Sequence, residues 1–170
     1  DKGSSTAVGT GSGAGAVTFG STLGLTSGGV DDLTITAGTG AVTLTGAVTL
    51  NDNDLTVASS TNSVITAGIS GSTGALDITD SGTTDVNGDL AMSGAGTITL
   101  DAVTLGADVS TVGGAISFGG AVTGDKGSST AVGTGSGAGA VTFGSTLGLT
   151  SGGVDDLTIT AGTGAVTLTG

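Results

Sequence analysis

Residues 40–50 read GAVTLTGAVTL, one short strand written twice. Val42, Leu44, Val48 and Leu50 alternate with Thr43, Thr45 and Thr49. A period of two places one set of side chains on each face of a β-strand. Gly40-Ala41 opens the first copy, and Gly46-Ala47 turns the chain into the second. Variants of the pattern recur along the whole chain, which reads as one small unit stacked many times.

The opening Gly-small-apolar-polar-apolar appears at Gly15 (GAVTF), Gly40 (GAVTL), Gly74 (GALDI), Gly96 (GTITL), Gly114 (GAISF) and Gly139 (GAVTF), at spacings of 25, 34, 22, 18 and 25 residues. The first and last of these lie 124 residues apart, and residues 1–46 are identical to residues 125–170. The chain therefore holds one long repeat (1–124) and part of a second (125–170), with five coils expected per repeat. No polar capping segment is visible at either end, which points to a longer natural molecule in which the unit recurs.

Each coil shows a second strand: STLGL (21–25), GAVTL (46–50), GTTDV (82–86), DAVTL (101–105) and GAVTG (120–124). A third follows: DLTIT (32–36), DLTVA (54–58), DLAMS (89–93), DVSTV (108–112) and the degenerate STAVG (129–133). Between Ser59 and Thr73 lies an insertion with its own strand-like SVITA, expected on a loop. Three strands per coil with unequal turns describe an all-β fold, a right-handed parallel β-helix (β-solenoid) over residues 1–170. The irregular coil lengths argue against the hexapeptide-built left-handed form. A β-sandwich gives short strands with Gly turns but does not predict identical motifs in register.

The first strands place Val17/Phe19, Val42/Leu44, Leu76/Ile78, Ile98/Leu100 and Ile116/Phe118 inward, and the third strands add Leu33/Ile35, Leu55/Val57 and Leu90/Met92. Phe118 and Phe143 fall in one column of adjacent coils, so they are expected to stack. Gly at the corners is expected to supply positive φ. Asn87-Gly88 reads as a corner rather than a hairpin, because a hairpin would break the three-strand rhythm.

Composition sets limits on function. The chain has 170 residues, 37 of them Gly, with no Pro, Cys, His, Trp or Tyr. All 14 acidic residues are Asp, and Lys2 and Lys126 are the only bases. Alternating Val, Leu and Ile with sparse charge argue against disorder despite the Gly and Ser content. A net charge of −12 disfavours nucleic acid and anionic membranes, which demand Lys and Arg. No apolar run approaches the roughly 20 residues of a spanning helix, so membrane insertion is not expected. No signal peptide is visible, and the chain opens in mid-pattern, as a mature segment or an excerpt would.

GAVTL, GAVTF, DLTITAG, DLTVA and GTITL resemble the repeats of bacterial surface proteins of the filamentous-haemagglutinin and "β-strand repeat" kind. The resemblance is one of repeat style and covers essentially the whole chain. It implies a large, secreted, right-handed β-helical stalk or fibre at a cell surface, with a structural or adhesive role. It implies no catalytic residue.

The strongest polar signal is a column of Asp before the third strand: Asp32, Asp54, Asp89 and Asp108, recurring at Asp156, with Asp31, Asp52 and Asp85 nearby. Stacked about every 4.8 Å, such carboxylates repel by just under about 1 kcal/mol per pair in water. One reading is a divalent cation, most plausibly Ca²⁺, held by carboxylates and corner carbonyls. The other is an Asx-type turn at each Asp, with salt screening the row. The calcium-binding nonapeptide GGxGxDxUx is absent.

Paired carboxylates at Asp77/Asp80 or Asp52/Asp54 raise polysaccharide cleavage as a possibility. A chain without His, Arg, Tyr or Trp lacks the usual accompanying groups, so no enzyme activity is expected. The run GTGSGAG (9–15) lacks the GK[ST] of a phosphate loop. Outward Thr rows (Thr18, Thr43, Thr99; Thr34, Thr36, Thr56) resemble the ladders of ice-binding proteins, but β-branched residues also suit any exposed strand face. The expectation is a segment of a long extracellular fibre whose partners are copies of itself, joined end to end or bundled laterally. The alternative is the stalk of a surface adhesin whose binding tip lies elsewhere.

Overall fold

The alternation at residues 42–50 is realised as two strands whose apolar side chains are sealed inside: Val42, Leu44, Val48 and Leu50 are at most 1% exposed. The same rule builds the rest of the molecule. A computed structural model describes residues 4–28, 30–58, 61–150 and 155–170. Among them every regular element is a strand.

In chain order these are β1 (Thr6–Gly9), β2 (Val17–Phe19), β3 (Leu23–Gly24), β4 (Leu33–Thr36) and β5 (Val42–Leu44). Next come β6 (Val48–Asn51), β7 (Leu55–Ala58), β8 (Ser63–Ile65), β9 (Ile69–Gly71) and β10 (Leu76–Val86). They are followed by β11 (Leu90–Met92), β12 (Ile98–Leu105), β13 (Val109–Ser110), β14 (Ile116–Phe118) and β15 (Val122–Gly124). The last are β16 (Thr130–Gly133), β17 (Val141–Phe143), β18 (Leu147–Leu149), β19 (Leu157–Thr160) and β20 (Val166–Leu168).

The strand pairings among the described residues are all parallel, and they sort the strands into three columns. The first column runs β1-β4-β7-β10-β12-β14-β17-β20. The second runs β2-β5-β8-β10-β12-β15-β18, and the third β3-β6-β9-β11-β13-β16-β19. Strands β10 and β12 each serve two columns: Leu76–Ile78 pair with Ile98–Leu100 in the first, and Thr83–Val86 with Ala102–Leu105 in the second. The 20 strands thus fill 22 positions, about seven turns of a three-sided β-solenoid. Asn87-Gly88 forms a corner between β10 and β11, both of which pair in parallel, so no hairpin closes there.

The turn count departs from the expected five per repeat. From β1 to β16, the same four residues TAVG one repeat later, the chain passes through 17 column positions, or five and two-thirds turns. The difference is the stretch expected to be a looped insertion, of which residues 59 and 60 lie outside the described set. Its Ser63–Ile65 is β8, paired with β5 below and β10 above, and its Ile69–Gly71 is β9, paired with β6 and β11. Two strands are woven into the stack where a loop was expected. Ser63 takes an inward place and Val64 an outward one, so the segment lacks the apolar-polar-apolar signature of its neighbours.

The core is a single narrow apolar column. Every inward residue expected from the alternation is buried, except Phe19, which is half-buried in the first turn. Phe118 and Phe143 are fully buried and stack with ring centroids 4.9 Å apart and planes 19° from parallel.

The glycines that open the strands are there for a reason other than positive φ. A Cβ on Gly74 would lie 2.0 Å from the Asn53 carbonyl oxygen, and one on Gly96 2.4 Å from that of Gly74. The series continues upward, with 1.9 Å from Gly114 to Gly96, 2.2 Å from Gly139 to Gly114 and 2.1 Å from Gly164 to Gly139. At this corner successive turns touch backbone to backbone, and no side chain fits between them. Positive φ is confined to other places, such as Gly38 (57°) and, beyond glycine, Asn51 (56°).

Candidate functional site

Asp32, Asp54, Asp89, Asp108 and Asp156 sit immediately before strands, where the chain leaves a corner. In a regular parallel ladder, the N–H of Asp54 would find a backbone carbonyl in the turn below. At the corner the Asp32 carboxylate takes that place, and Asp54 N–H donates to Asp32 Oδ1 at 3.0 Å. The arrangement recurs one turn up, where Ala75 N–H donates to Asp54 Oδ1 at 2.7 Å. In the third column Asp108 N–H donates to Asp89 Oδ1 at 3.1 Å, and Ala131 N–H to Asp108 Oδ1 at 2.9 Å. Asn62 does the same in the second column, accepting from Thr83 N–H at 3.0 Å. Each side chain supplies an acceptor to the N–H of its register neighbour in the next turn, adding a side-chain tie between successive turns at the exposed edge of the ladder.

The five residues considered as cation ligands do not form one row. Asp32 and Asp54 enter the first column, and Asp89, Asp108 and Asp156 the third. Asp89 and Asp108 are register neighbours, but Asp156 is level with Ser129 and stands out of line with Asp108, whose neighbour is Ala131. Among the described residues no group of three or more Asp, Glu, His or Cys side chains could hold a metal ion. Repulsion within the two short rows is offset by the N–H donors aimed at the carboxylates. On this geometry Asp54→Asn keeps the acceptor and should leave stability within a few tenths of a kcal/mol, whereas Asp54→Ala should cost about 1 kcal/mol. Urea unfolding of the two variants checks it; equal losses would mean that the charge, not the acceptor, matters.

Asp108 has a second partner. Lys126 Nζ lies 2.5 Å from its Oδ1, with the two side chains 25% and 41% exposed. Burial works to raise the Asp108 pKa, but hydrogen bonds from Lys126 and Ala131 and the lysine charge outweigh it and hold the carboxyl below its ordinary value. A pKa lowered in the folded state adds stability above the unfolded carboxylate value of about 3.9, and that part is lost as the pH falls through the folded value. The urea midpoint should therefore rise between pH 2 and pH 5, and Lys126→Met should shrink the rise. An unchanged increment in the variant would refute the pairing's role.

The two carboxylate pairs differ in placement. Asp77 and Asp80 are three residues apart in β10, an odd step, and so face opposite sides of the wall. Asp77 is half-buried on the outside; Asp80 is 2% exposed, and its Oδ2 accepts from Thr84 Oγ1 at 3.2 Å. They cannot flank one bond. Asp52 and Asp54 are both exposed at the corner after β6, where Asp54 is committed to Ala75. The outward Thr row also divides by column: Thr18 and Thr43 are neighbours in the second, whereas Thr34, Thr56, Asp77 and Thr99 follow one another in the first.

One residue that sequence reasoning passed over organises a corner. Asn53 is completely buried; its Nδ2 donates to Thr26 O at 2.6 Å and Leu50 O at 2.9 Å, and its Oδ1 accepts from Asp31 N–H at 2.9 Å. Asn51 beside it donates from Nδ2 to Leu25 O at 2.6 Å. The signal lay in NDND (51–54), where Asn tolerates the left-handed turn and carries both donor and acceptor.

These side chains knit one turn to the next; the polar sites are parts of the stack. The class of protein that the fold defines is the parallel β-solenoid. No protein-family model matches the chain, and no curated protein or solved structure matches it.

Proposed function

We propose that this chain is a structural segment of a long, repetitive extracellular filament at a bacterial cell surface, of the filamentous-haemagglutinin or β-strand-repeat kind. One observation carries the reading: the second copy of the repeat joins the first without a break. Strands β16 and β17 of the second copy pair with β13 and β14 of the first in the same ladders that run through each copy. Further copies can join in the same way. Val166 and Leu168 are 44% and 59% exposed, whereas the identical Val42 and Leu44 are 0% and 1% exposed beneath β8 of the next turn. An added turn of the same kind would cover them. In the first turn Val8, Phe19, Leu23 and Leu33 line an open cavity of about 280 Å³.

The role is mechanical. Continuous backbone pairing around a thin apolar core makes a narrow, stiff rod, and copies of the chain are its partners. Cryo-electron microscopy of the native material tests this. A spacing of about 4.8 Å along the long axis of a filament is the expected result. Compact particles with no axial repeat would overturn it.

A further inference from the structure

We infer that tandem copies of the 124-residue unit build a rod with a three-fold screw, in which each copy is turned by a third of a revolution relative to the last. The inference rests on the filament reading for its tandem copies, but its physical basis lies within this chain.

Identical sequence occupies different columns in the two copies. TAVG is β1 in the first column and β16 in the third. VTF is β2 in the second column and β17 in the first. LTIT is β4 in the first and β19 in the third, and VTL is β5 in the second and β20 in the first. The shift is the same each time, because a unit of 17 positions leaves a three-sided coil one position short of six whole turns. Strands β8 and β9 cause it: without them the unit would fill 15 positions, five whole turns, and every copy would sit directly above the one before.

The strands tolerate the shift because each asks the same of its site. The glycine before VTL lacks room for a Cβ in both copies: a Cβ added to Gly40 would lie 2.2 Å from the Gly15 carbonyl oxygen at one corner, and one added to Gly164 2.1 Å from that of Gly139 at another. With turns spaced about 4.8 Å apart, each unit advances roughly 27 Å, and the pattern returns to the same face after three units and about 82 Å. This rotation is added to the gradual twist of the sheets. Any surface patch of the unit is then shown on all three faces in turn. A neighbouring rod of the same chain meets equivalent faces from three directions, and the filament has no single binding side.

The test places nitroxide labels on outward positions of the 170-residue chain. In this structure Thr56 and Asp77 are register neighbours, and Thr43 has Val64 above it. If β8 and β9 were looped out, Thr43 would instead neighbour Asp77. Strong dipolar broadening is expected for labels on Thr56→Cys/Asp77→Cys, and none for Thr43→Cys/Asp77→Cys. A second labelled pair, Thr43→Cys/Val64→Cys, is expected to broaden and keeps the test decisive if the first variant does not fold. Broadening of Thr43→Cys/Asp77→Cys, or its absence from a folded neighbour pair, overturns the screw. Because the labels are read within one chain, this failure is distinct from failure of the filament reading, which the axial repeat of the native material decides.

Discussion

Gly114→Ala is expected to destabilise the solenoid by about 3 kcal/mol or more, among the largest effects available to a single methyl group. The new Cβ would lie 1.9 Å from the Gly96 carbonyl oxygen and 2.7 Å from that of Ala95, atoms of the turn below whose backbone is tied down by the hydrogen bond from Gly96 N–H to Ser72 O. Neither can retreat without parting two turns. Gly24→Ala is the control, since no atom lies within 4 Å of the added carbon and the residue is exposed. There the smaller entropy of the unfolded chain should stabilise the protein by about 0.4–1 kcal/mol. Urea unfolding of the pair separates the two roles of glycine. Similar changes in both variants would remove close approach as the reason for the glycine row.

Phe118→Ala should cost about 3–5 kcal/mol, a large share of the roughly 5–15 kcal/mol that holds an ordinary domain together. Phe118 is fully buried and stacked on Phe143, so truncation opens a void and removes a ring contact. Phe118→Leu keeps most of the volume and should lose far less. Since each turn touches chiefly its neighbours, the damage should be local. Amide exchange should quicken in β12, β14 and β17 and stay near its original rate in β4 and β5. Uniform acceleration across the chain would show that the stack unfolds as one unit.

The stack itself could be read from sequence, because period-two alternation dictates which side chains face inward whatever the column. Leu33/Ile35, Leu55/Val57 and the Phe118–Phe143 pair followed from it directly. The column of a given strand could not be read, since VTF satisfies the second column at Val17 and the first at Val141 equally well. SVITA reads as strand-like, but its place in the stack could not be read, because Ser63 is buried and Val64 faces out, inverting the expected polarity. That one inversion made the segment look like a loop on the stack rather than two of its positions, and with them went the fractional turn. The glycines were visible, but their cause was not: a backbone contact between residues about 20 apart leaves no local mark. For the same reason the Asp row looked continuous, although the register divides it between two columns.

The ladder hydrogen bonds of the stack run parallel to its long axis. A pull along that axis therefore loads one turn's bonds in direct tension, where they fail in sequence, unlike a sheet sheared along its strands, where many resist together. Each detached turn frees its own contour. The 25 residues from Val141 to its register partner Val166 amount to on the order of 80 Å of extended chain, and the 18 from Ile98 to Ile116 to on the order of 60 Å. Single-molecule extension should give a sawtooth of unequal teeth set by these turn lengths. A rod that is stiff to bending would then lengthen many-fold before it breaks, and would absorb a sudden load by surrendering one turn at a time.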